Sequence, residues 1–144
     1  MSGKILLTGI SGWIAKHTAI ELLNSGYEVL GTVRNKNLIE QTKETISKYA
    51  SIDKLSFVEL DLVKDDGWDE AAKGCKYIFH IASPFPMKVS RNRESLLPPA
   101  VDGTLRVLKA GVNAGVEQII KTSSIVAMFR KPNRSNPYTF GEND

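Results

Sequence analysis

The chain has 144 residues, of which 42% are hydrophobic and 24% charged, and its formal net charge is +3. This composition is typical of one soluble globular domain and argues against global disorder. The basic residues are scattered rather than clustered, so no nucleic-acid partner is expected, and no apolar run approaches the ~20 residues that a membrane helix needs.

Cys75 is the only cysteine in the sequence. A single cysteine cannot form an internal disulfide, which fits a reducing compartment. We therefore expect a cytoplasmic protein in which Cys75 is a buried or neutral thiol.

Short apolar runs and helical patterns alternate along the chain. The apolar run 4–8 ends at Gly9 and predicts a buried strand. A helix over 13–25 follows, and Gly26 stands where such a helix usually ends. Further strands are predicted at 27–33, 55–60, 77–82 and 116–122, and further helices at 38–49, at 68–73 and within 96–114.

The last of these helices has an apolar stripe at helical spacing, which is expected to face the core: Val101, Leu105, Leu108 and Val112. Pro98 and Pro99 must lie at or before its first turn, because proline has no amide hydrogen for the helix ladder. The strand at 116–122 then completes the series.

Strands that alternate with helices predict an α/β fold with a parallel sheet, because each crossing must return over a face of the sheet. With right-handed crossovers we expect a Rossmann-type, doubly wound sheet of five strands in the order 3-2-1-4-5. Residues 1–130 are assigned to this dinucleotide-binding unit. The segment 131–144 is predicted to be a loop-like tail.

The turn after the first strand carries the clearest chemical signal. Gly9 lets the chain turn sharply, Gly12 lets the backbone approach a pyrophosphate, and Ala15 keeps the helix close to the strand. Amides at the start of the helix would then face the phosphates. The alternative is an ordinary tight turn. The predicted cofactor contacts in this segment are Thr8, Gly9, Ser11, Gly12, Trp13, Ile14 and Ala15.

Arg34 follows the second predicted strand, where a carboxylate would bind the ribose 2′-hydroxyl of NAD, and no acid occurs in 30–36. A guanidinium can instead bind the 2′-phosphate of NADP, so NADP is the predicted cofactor. The alternative is a solvated surface arginine. Asp61 and Leu62, after the third strand, would meet the adenine edge, or Asp61 would cap the next segment.

These segments together resemble the extended short-chain dehydrogenase/reductase family, within the NAD-dependent epimerase/dehydratase superfamily. The sequence is most similar to dihydroflavonol reductase-like and cinnamoyl-CoA reductase-like enzymes. The matching motifs are the turn 8–15, Thr32-Val33-Arg34, Asp61-Leu62, the run 79–85, Thr122-Ser123-Ser124, and Pro132-Asn133-Arg134-Ser135.

The resemblance implies that Ile81, Ala82 and Ser83 line the cofactor, with Thr122 and Ser123 also beside it. It implies that Ser124 is the catalytic serine, which would bind the substrate carbonyl, with Ser123 as the alternative. Both serines could instead satisfy backbone groups at the strand end. His80 is either a polar group of the site or a partly buried histidine at a strand end.

The family's catalytic Tyr-x-x-x-Lys motif does not occur in these 144 residues. Tyr138 has Glu142 at its +4 position, and a carboxylate raises the pKa of a neighbouring phenol rather than lowering it. Pro137 also disfavours a helix through this pair. The resemblance therefore predicts an N-terminal half, inactive alone, that lacks the substrate-binding region.

The predicted parent activity is NADPH-dependent reduction of an aldehyde or ketone, with a small-molecule carbonyl substrate. The alternatives are a nucleotide-sugar epimerase or dehydratase of the same family and a non-catalytic NADP-binding module. The last strand would have a free edge, so self-association into a homo-oligomer is expected.

Overall fold

The computed structural model describes residues 3–83 and 97–124, which form five strands and four α-helices. The strands are β1 (Lys4–Thr8), β2 (Glu28–Val33), β3 (Leu55–Glu59), β4 (Tyr77–His80) and β5 (Gln118–Lys121). The helices are α1 (Trp13–Asn24), α2 (Ile39–Ser47), α3 (Trp68–Ala72) and α4 (Gly103–Ala114). A short 3-10 turn, Lys36–Leu38, precedes α2, and a wider helical turn, Pro98–Asp102, leads into α4.

The five strands form one sheet in the order β3-β2-β1-β4-β5, and every neighbouring pair is parallel. The predicted α/β fold and strand order are therefore confirmed. The strong local signals explain this agreement, since each strand contains an apolar run or alternates apolar with polar residues, and each crossing contains a helix. The bounds of β1–β5 and α1–α3 differ from the predicted ones by at most two residues.

The central strand β1 is buried on both faces, as expected for a sheet covered by two helical layers. Ile5 and Leu7 point into one core cluster, together with buried residues of α1 and α2. Leu6 points into the other cluster, with Trp68 of α3 and Val107 of α4. The two layers thus hold β1 in the middle of the sheet, and its last residue lies at the sheet's carboxyl edge.

The predicted core stripe of α4 is wrong. Val101, Leu105 and Val112 are 50%, 46% and 77% exposed, and Leu108 is half-buried. The face that packs on the sheet is instead made of small residues: Gly103, Val107, Ala110 and Gly111.

Close helix–sheet contact explains this choice of face. A Cβ added to Gly111 would lie 2.6 Å from the Ile119 Cδ1 and 3.0 Å from the Ile78 Cδ1. A Cβ on Gly103 would lie 2.8 Å from the Cβ of Leu62. Bulky side chains cannot occupy that space, so α4 turns its larger apolar residues away from the sheet.

Cys75 is buried, as predicted, and burial raises the pKa of its thiol. The predicted tail 131–144 lies outside the described residues, as do Tyr138, Glu142 and the segment 84–96. Within 3–83 and 97–124, no helix is long and apolar enough to cross a membrane.

Candidate functional site

The carboxyl ends of all five strands lie at one edge of the sheet because the strands are parallel. In open α/β sheets, ligands bind outside this edge, where the chain crosses to opposite faces on either side of the first strand. Here that position lies between β1 and β4. The turn after β1, Arg34 after β2, the segment 81–83 after β4 and the segment 122–124 after β5 all follow strand ends at this edge.

The turn after β1 depends on a left-handed glycine. Gly9 has φ +70°, and its amide donates to the Thr32 hydroxyl at 3.0 Å. The next amide, of Ile10, donates to the Thr32 carbonyl at 3.1 Å, and the Gly12 amide returns to the Gly9 carbonyl at 2.8 Å. Thr32 of β2 belongs to the motif Thr32-Val33-Arg34, but no role at the turn was predicted for it; it anchors the turn through both its side chain and its backbone.

Helix α1 begins directly after this turn without a side-chain cap. Gly12 is its N-cap residue, no side chain bonds to its first amides, and no acidic residue lies in its first turn. The first bond of the helix is donated by Lys16 to the Gly12 carbonyl, at 3.0 Å. The amides of Trp13, Ile14 and Ala15 therefore have no acceptor within the helix, as is usual at such an end.

The side chains of this segment divide between the core and the surface. Ala15 is buried against the sheet, whereas Trp13 and Ile14 are exposed. A Cβ on Gly12 would lie 3.2 Å from the Gly9 carbonyl oxygen, so the turn is tight there, and glycine places no side chain at the start of the helix. Ser11 is half-buried.

The segment after β4 is held against the end of β1. The Thr8 hydroxyl accepts hydrogen bonds from the amides of Ile81 and Ala82, at 3.1 and 2.9 Å. Ile81 and Ala82 are half-buried and Ser83 is exposed. Two of the predicted cofactor segments, the glycine turn and 81–83, are therefore in direct contact.

His80, the last residue of β4, is buried between these elements. Its Nδ1 lies 2.9 Å from the Thr8 hydroxyl oxygen, and its Nε2 lies 3.3 Å from the Thr104 hydroxyl oxygen of α4. Burial lowers the pKa of His80 to about 4, with a further contribution from the positive charge of Lys121. Of the two interpretations of His80, the structure shows the buried one, in a ring bonded on both sides.

Arg34 lies just past β2, and its side chain is exposed. Within the described residues it pairs with no carboxylate, and the nearby acid Glu59 pairs with Lys36 at 3.5 Å. The edge beside β2 therefore carries an available guanidinium and a partly neutralised lysine.

Asp61 and Leu62 both make contacts within the protein. The Asp61 Oδ1 accepts from the Val63 amide at 3.1 Å, which is the capping geometry considered as the alternative. Leu62 packs on Gly103 at the start of α4. A role of this pair at the adenine edge stays a prediction.

The three residues after β5 are all exposed, and the Thr122 amide donates to the His80 carbonyl at 3.1 Å. This bond continues the β4–β5 ladder by one residue. Ser123 and Ser124 therefore follow this bond directly at the carboxyl edge of the sheet, as the segment 81–83 follows β4.

Two residues of this arrangement, Gly31 and Thr104, escaped the sequence analysis. Gly31 admits Ile10 beneath the turn, since a Cβ there would lie 2.5 Å from the Ile10 Cδ1. Thr104 bonds His80 from a helix that is distant in sequence. A glycine within a strand was the available signal for the first, whereas nothing local marks the second.

Among the described residues, no three His, Cys, Asp or Glu side chains are grouped so that they could hold a metal ion. Besides the Lys36–Glu59 pair and the Asp61 carboxylate, this edge carries backbone amides, hydroxyls and the Arg34 guanidinium, and these last groups suit an anionic ligand.

Comparison with known proteins agrees with this geometry. The chain is 36% identical over 123 residues to tetraketide alpha-pyrone reductase 1 of Arabidopsis thaliana, covering 85% of this chain and 38% of the relative. It is 33% identical to a dihydroflavonol 4-reductase of Hordeum vulgare, covering 85% and 35%. The chain thus spans less than two fifths of the length of these curated relatives.

A similar solved structure is that of yeast methylglyoxal/isovaleraldehyde reductase complexed with NADPH. Its TM-score is 0.75 at 30% identity, over 86% of this chain and 38% of that one. The sequence profile described as the NAD dependent epimerase/dehydratase family matches residues 5–143. The resemblance inferred from the motifs is thereby confirmed, and the chain belongs to the NAD dependent epimerase/dehydratase family.

Proposed function

We propose that the carboxyl edge of this sheet binds NADPH, as the cofactor unit of a reductase that acts on an aldehyde or ketone. The observation that carries the proposal is the glycine turn before α1. A Cβ on Gly9 would collide with Ala82, and one on Gly12 would lie 3.2 Å from the Gly9 carbonyl oxygen, so glycine suits both positions of this close turn. Helix α1 then starts with no side-chain cap and no acidic residue in its first turn, and Gly12, Trp13 and Ile14 are exposed. This arrangement fits the pyrophosphate of a dinucleotide.

Arg34 supports NADPH rather than NADH. A guanidinium binds a phosphate through two parallel hydrogen bonds, whereas a ribose 2′-hydroxyl is bound by a carboxylate in NAD-specific sites. Arg34 is exposed and has no carboxylate partner among residues 3–83 and 97–124. The similar yeast reductase was solved with NADPH, which agrees with this choice.

The other residues of the edge have distinct proposed roles. Ser11 and the amides of Trp13, Ile14 and Ala15 bind the phosphates, and Asp61 and Leu62 border the adenine. Ile81, Ala82 and Ser83 line the cofactor towards its nicotinamide, together with Thr122 and Ser123. The remaining group, the Ser124 hydroxyl, orients the substrate by donating a hydrogen bond to its carbonyl oxygen.

Bound NADPH would supply the hydride that reduces the carbonyl carbon. The carbonyl oxygen also needs a proton, and the family resemblance assigns its delivery to a Tyr-x-x-x-Lys motif, which these 144 residues do not contain. The names of the relatives support a carbonyl reductase, since both curated relatives described above are reductases.

Cofactor titration tests this proposal directly. NADPH and NADH are titrated separately into the 144-residue chain, and binding is followed by calorimetry and by the fluorescence of the reduced nicotinamide. We expect NADPH to bind and to bind more tightly than NADH. If neither nucleotide binds, the proposal is rejected. If both bind equally tightly, the role of Arg34 is rejected.

A further inference from the structure

His80 lies between the glycine turn and α4, in a chain of hydrogen bonds whose direction can be worked out. The chain starts at the amides of Ile81 and Ala82, which both donate to the Thr8 hydroxyl oxygen. A hydroxyl oxygen accepts two hydrogen bonds and donates one. Both accepting positions of Thr8 are thus filled by backbone amides that can only donate.

The hydroxyl hydrogen of Thr8 must therefore go to its remaining polar neighbour, the Nδ1 of His80 at 2.9 Å. An Nδ1 that accepts carries no hydrogen, so the neutral ring carries its hydrogen on Nε2. That Nε2–H points to the Thr104 hydroxyl oxygen at 3.3 Å, and Thr104 in turn donates to the Ala100 carbonyl at 2.7 Å. Every hydrogen-bonding group in this series then has a consistent role as donor or acceptor.

This relay connects three elements that meet beside the proposed cofactor site. It joins the end of β1 to the segment after β4 and to the beginning of α4, across sequence separations of 72 and 24 residues. The amides that it holds belong to the segment against which Gly9 packs, since a Cβ on Gly9 would lie 3.1 Å from the Ala82 Cα.

We propose that His80 is a positioning residue of the dinucleotide site: as a neutral ring with its hydrogen on Nε2, it orients the Thr8 hydroxyl so that the Ile81 and Ala82 amides are held against the Gly9 turn. This role rests on the proposed function, because the segments it aligns are those assigned to the cofactor. His80 itself touches neither the cofactor nor the substrate in this assignment.

A charged His80 would break the relay. Protonated Nδ1 would become a donor, and Thr8 would then face three donors with only two accepting positions. Three elements packed around the ring contribute polar or charged side chains: Thr8 from β1, Thr104 from α4 and Lys121 from β5. Of these, Lys121 is charged, and its positive charge lowers the pKa of His80. The lowered pKa of His80 agrees with a ring that stays neutral at physiological pH.

The first test reads the ring directly in the unmodified chain. Nitrogen-15 NMR distinguishes a ring nitrogen that carries hydrogen from one that does not. At pH 7 we expect hydrogen on Nε2 alone. Hydrogen on Nδ1, or on both nitrogens, would overturn the relay whether or not the chain binds NADPH.

The second test removes the Thr8 hydroxyl and then restores it. Thr8→Val keeps the side-chain shape, and Thr8→Ser keeps the hydroxyl. We expect Thr8→Val to speed hydrogen exchange at the Ile81 and Ala82 amides and to weaken NADPH binding roughly tenfold, the effect of about 1.4 kcal/mol. Thr8→Ser should restore both. Thr45→Val is the matched control, because the Thr45 hydroxyl bonds only within α2.

A second pair of variants covers the case in which Thr8→Val does not fold. His80→Asn keeps an acceptor towards Thr8, whereas His80→Leu fills the space without one. We expect His80→Leu to speed exchange at the two amides and His80→Asn to preserve their protection. Equal behaviour of the two variants would overturn the proposal. If the unmodified chain binds no NADPH, the proposed function fails, while ring protonation and amide exchange still decide whether the relay exists.

Discussion

Gly9 and Ala82 approach so closely that a Cβ added to Gly9 would lie 3.0 Å from the Cβ of Ala82 and 3.1 Å from its Cα. The glycine turn and the segment after β4 are thus packed so closely that no side chain fits between them at Gly9. Because the second contact is to backbone, a larger residue at Gly9 cannot be accommodated by a side-chain rotation.

Gly9→Ala should therefore weaken NADPH binding and lower the free energy of unfolding. The positive φ alone costs about 1–2 kcal/mol for a residue with a Cβ, and the contact with Ala82 adds to this. Gly74→Ala is the matched control, since Gly74 has φ +74° but nothing within 4 Å of its added Cβ. Urea unfolding and NADPH titration of both variants measure the difference. Equal losses would show that the Ala82 contact has no effect.

Arg34→Asp should reverse or abolish the preference for NADPH over NADH. The variant removes the guanidinium and with it the proposed charge-assisted hydrogen bonds to the 2′-phosphate. Such bonds are worth about 1.5–3 kcal/mol, so the affinity for NADPH should fall roughly tenfold or more. The new carboxylate would also repel that phosphate. Titration of both nucleotides measures the effect.

Lys73→Asp makes the same charge change at an exposed position before β4, at the amino edge of the sheet. It should leave the preference unchanged. A similar loss in both variants would point to net charge rather than to a specific phosphate contact.

Protonation of His80 should destabilise the fold in a defined pH window. The pKa of His80 falls from 6.5 to about 4 in the folded protein because burial disfavours the charged ring and Lys121 repels it. The unfolded chain therefore binds more protons in this range, so the stabilisation is fully present above pH 6.5 and is lost as the pH falls towards 4. The loss should reach about 3 kcal/mol, at about 1.4 kcal/mol per pKa unit.

Urea unfolding at a series of pH values, followed by the fluorescence of buried Trp68, would measure this dependence. His80→Asn should remove the contribution of His80 to the change in the free energy of unfolding with pH. The exposed His17 provides the control variant His17→Asn, which should retain it. An unchanged slope in His80→Asn would contradict the assignment.

The 144-residue chain should show no appreciable reductase turnover with NADPH and an aldehyde or ketone. In the proposed site the Ser124 hydroxyl would only orient the carbonyl, and the Tyr-x-x-x-Lys motif to which the resemblance assigns proton delivery does not occur in these 144 residues. NADPH oxidation followed by absorbance is the measurement. Steady oxidation that disappears in Tyr138→Phe would show that Tyr138 supplies the proton after all.

The outward face of α4 should promote self-association. Leu105 and Val112 of α4 are exposed, as is Val101 in the turn that leads into it, and β5 forms an edge of the described sheet. Leu105→Glu should shift a sedimentation series towards monomer because a charge would have to be buried in the contact. Tyr49→Glu is the control, because Tyr49 is 67% exposed but follows α2 rather than lying on α4. It should leave the sedimentation series unchanged. A strictly monomeric chain at high concentration would contradict the prediction.

The sequence by itself determined the alternation of strands and helices, the order of the strands and the position of the glycine turn. These features are local: a buried parallel strand is a short apolar run, and a strand–glycine–helix junction is recognisable over eight residues. The crossover rule then leaves few arrangements of the sheet.

Only the tertiary structure decided which face of α4 packs and which polar groups support the site. Helix α4 has one bulky and one small apolar face, and periodicity does not distinguish them. The short distance to Ile78 and Ile119 selects the small face. In the same way, Thr8, His80 and Thr104 have no shared sequence pattern, because hydrogen bonds between them form only after distant segments are packed together.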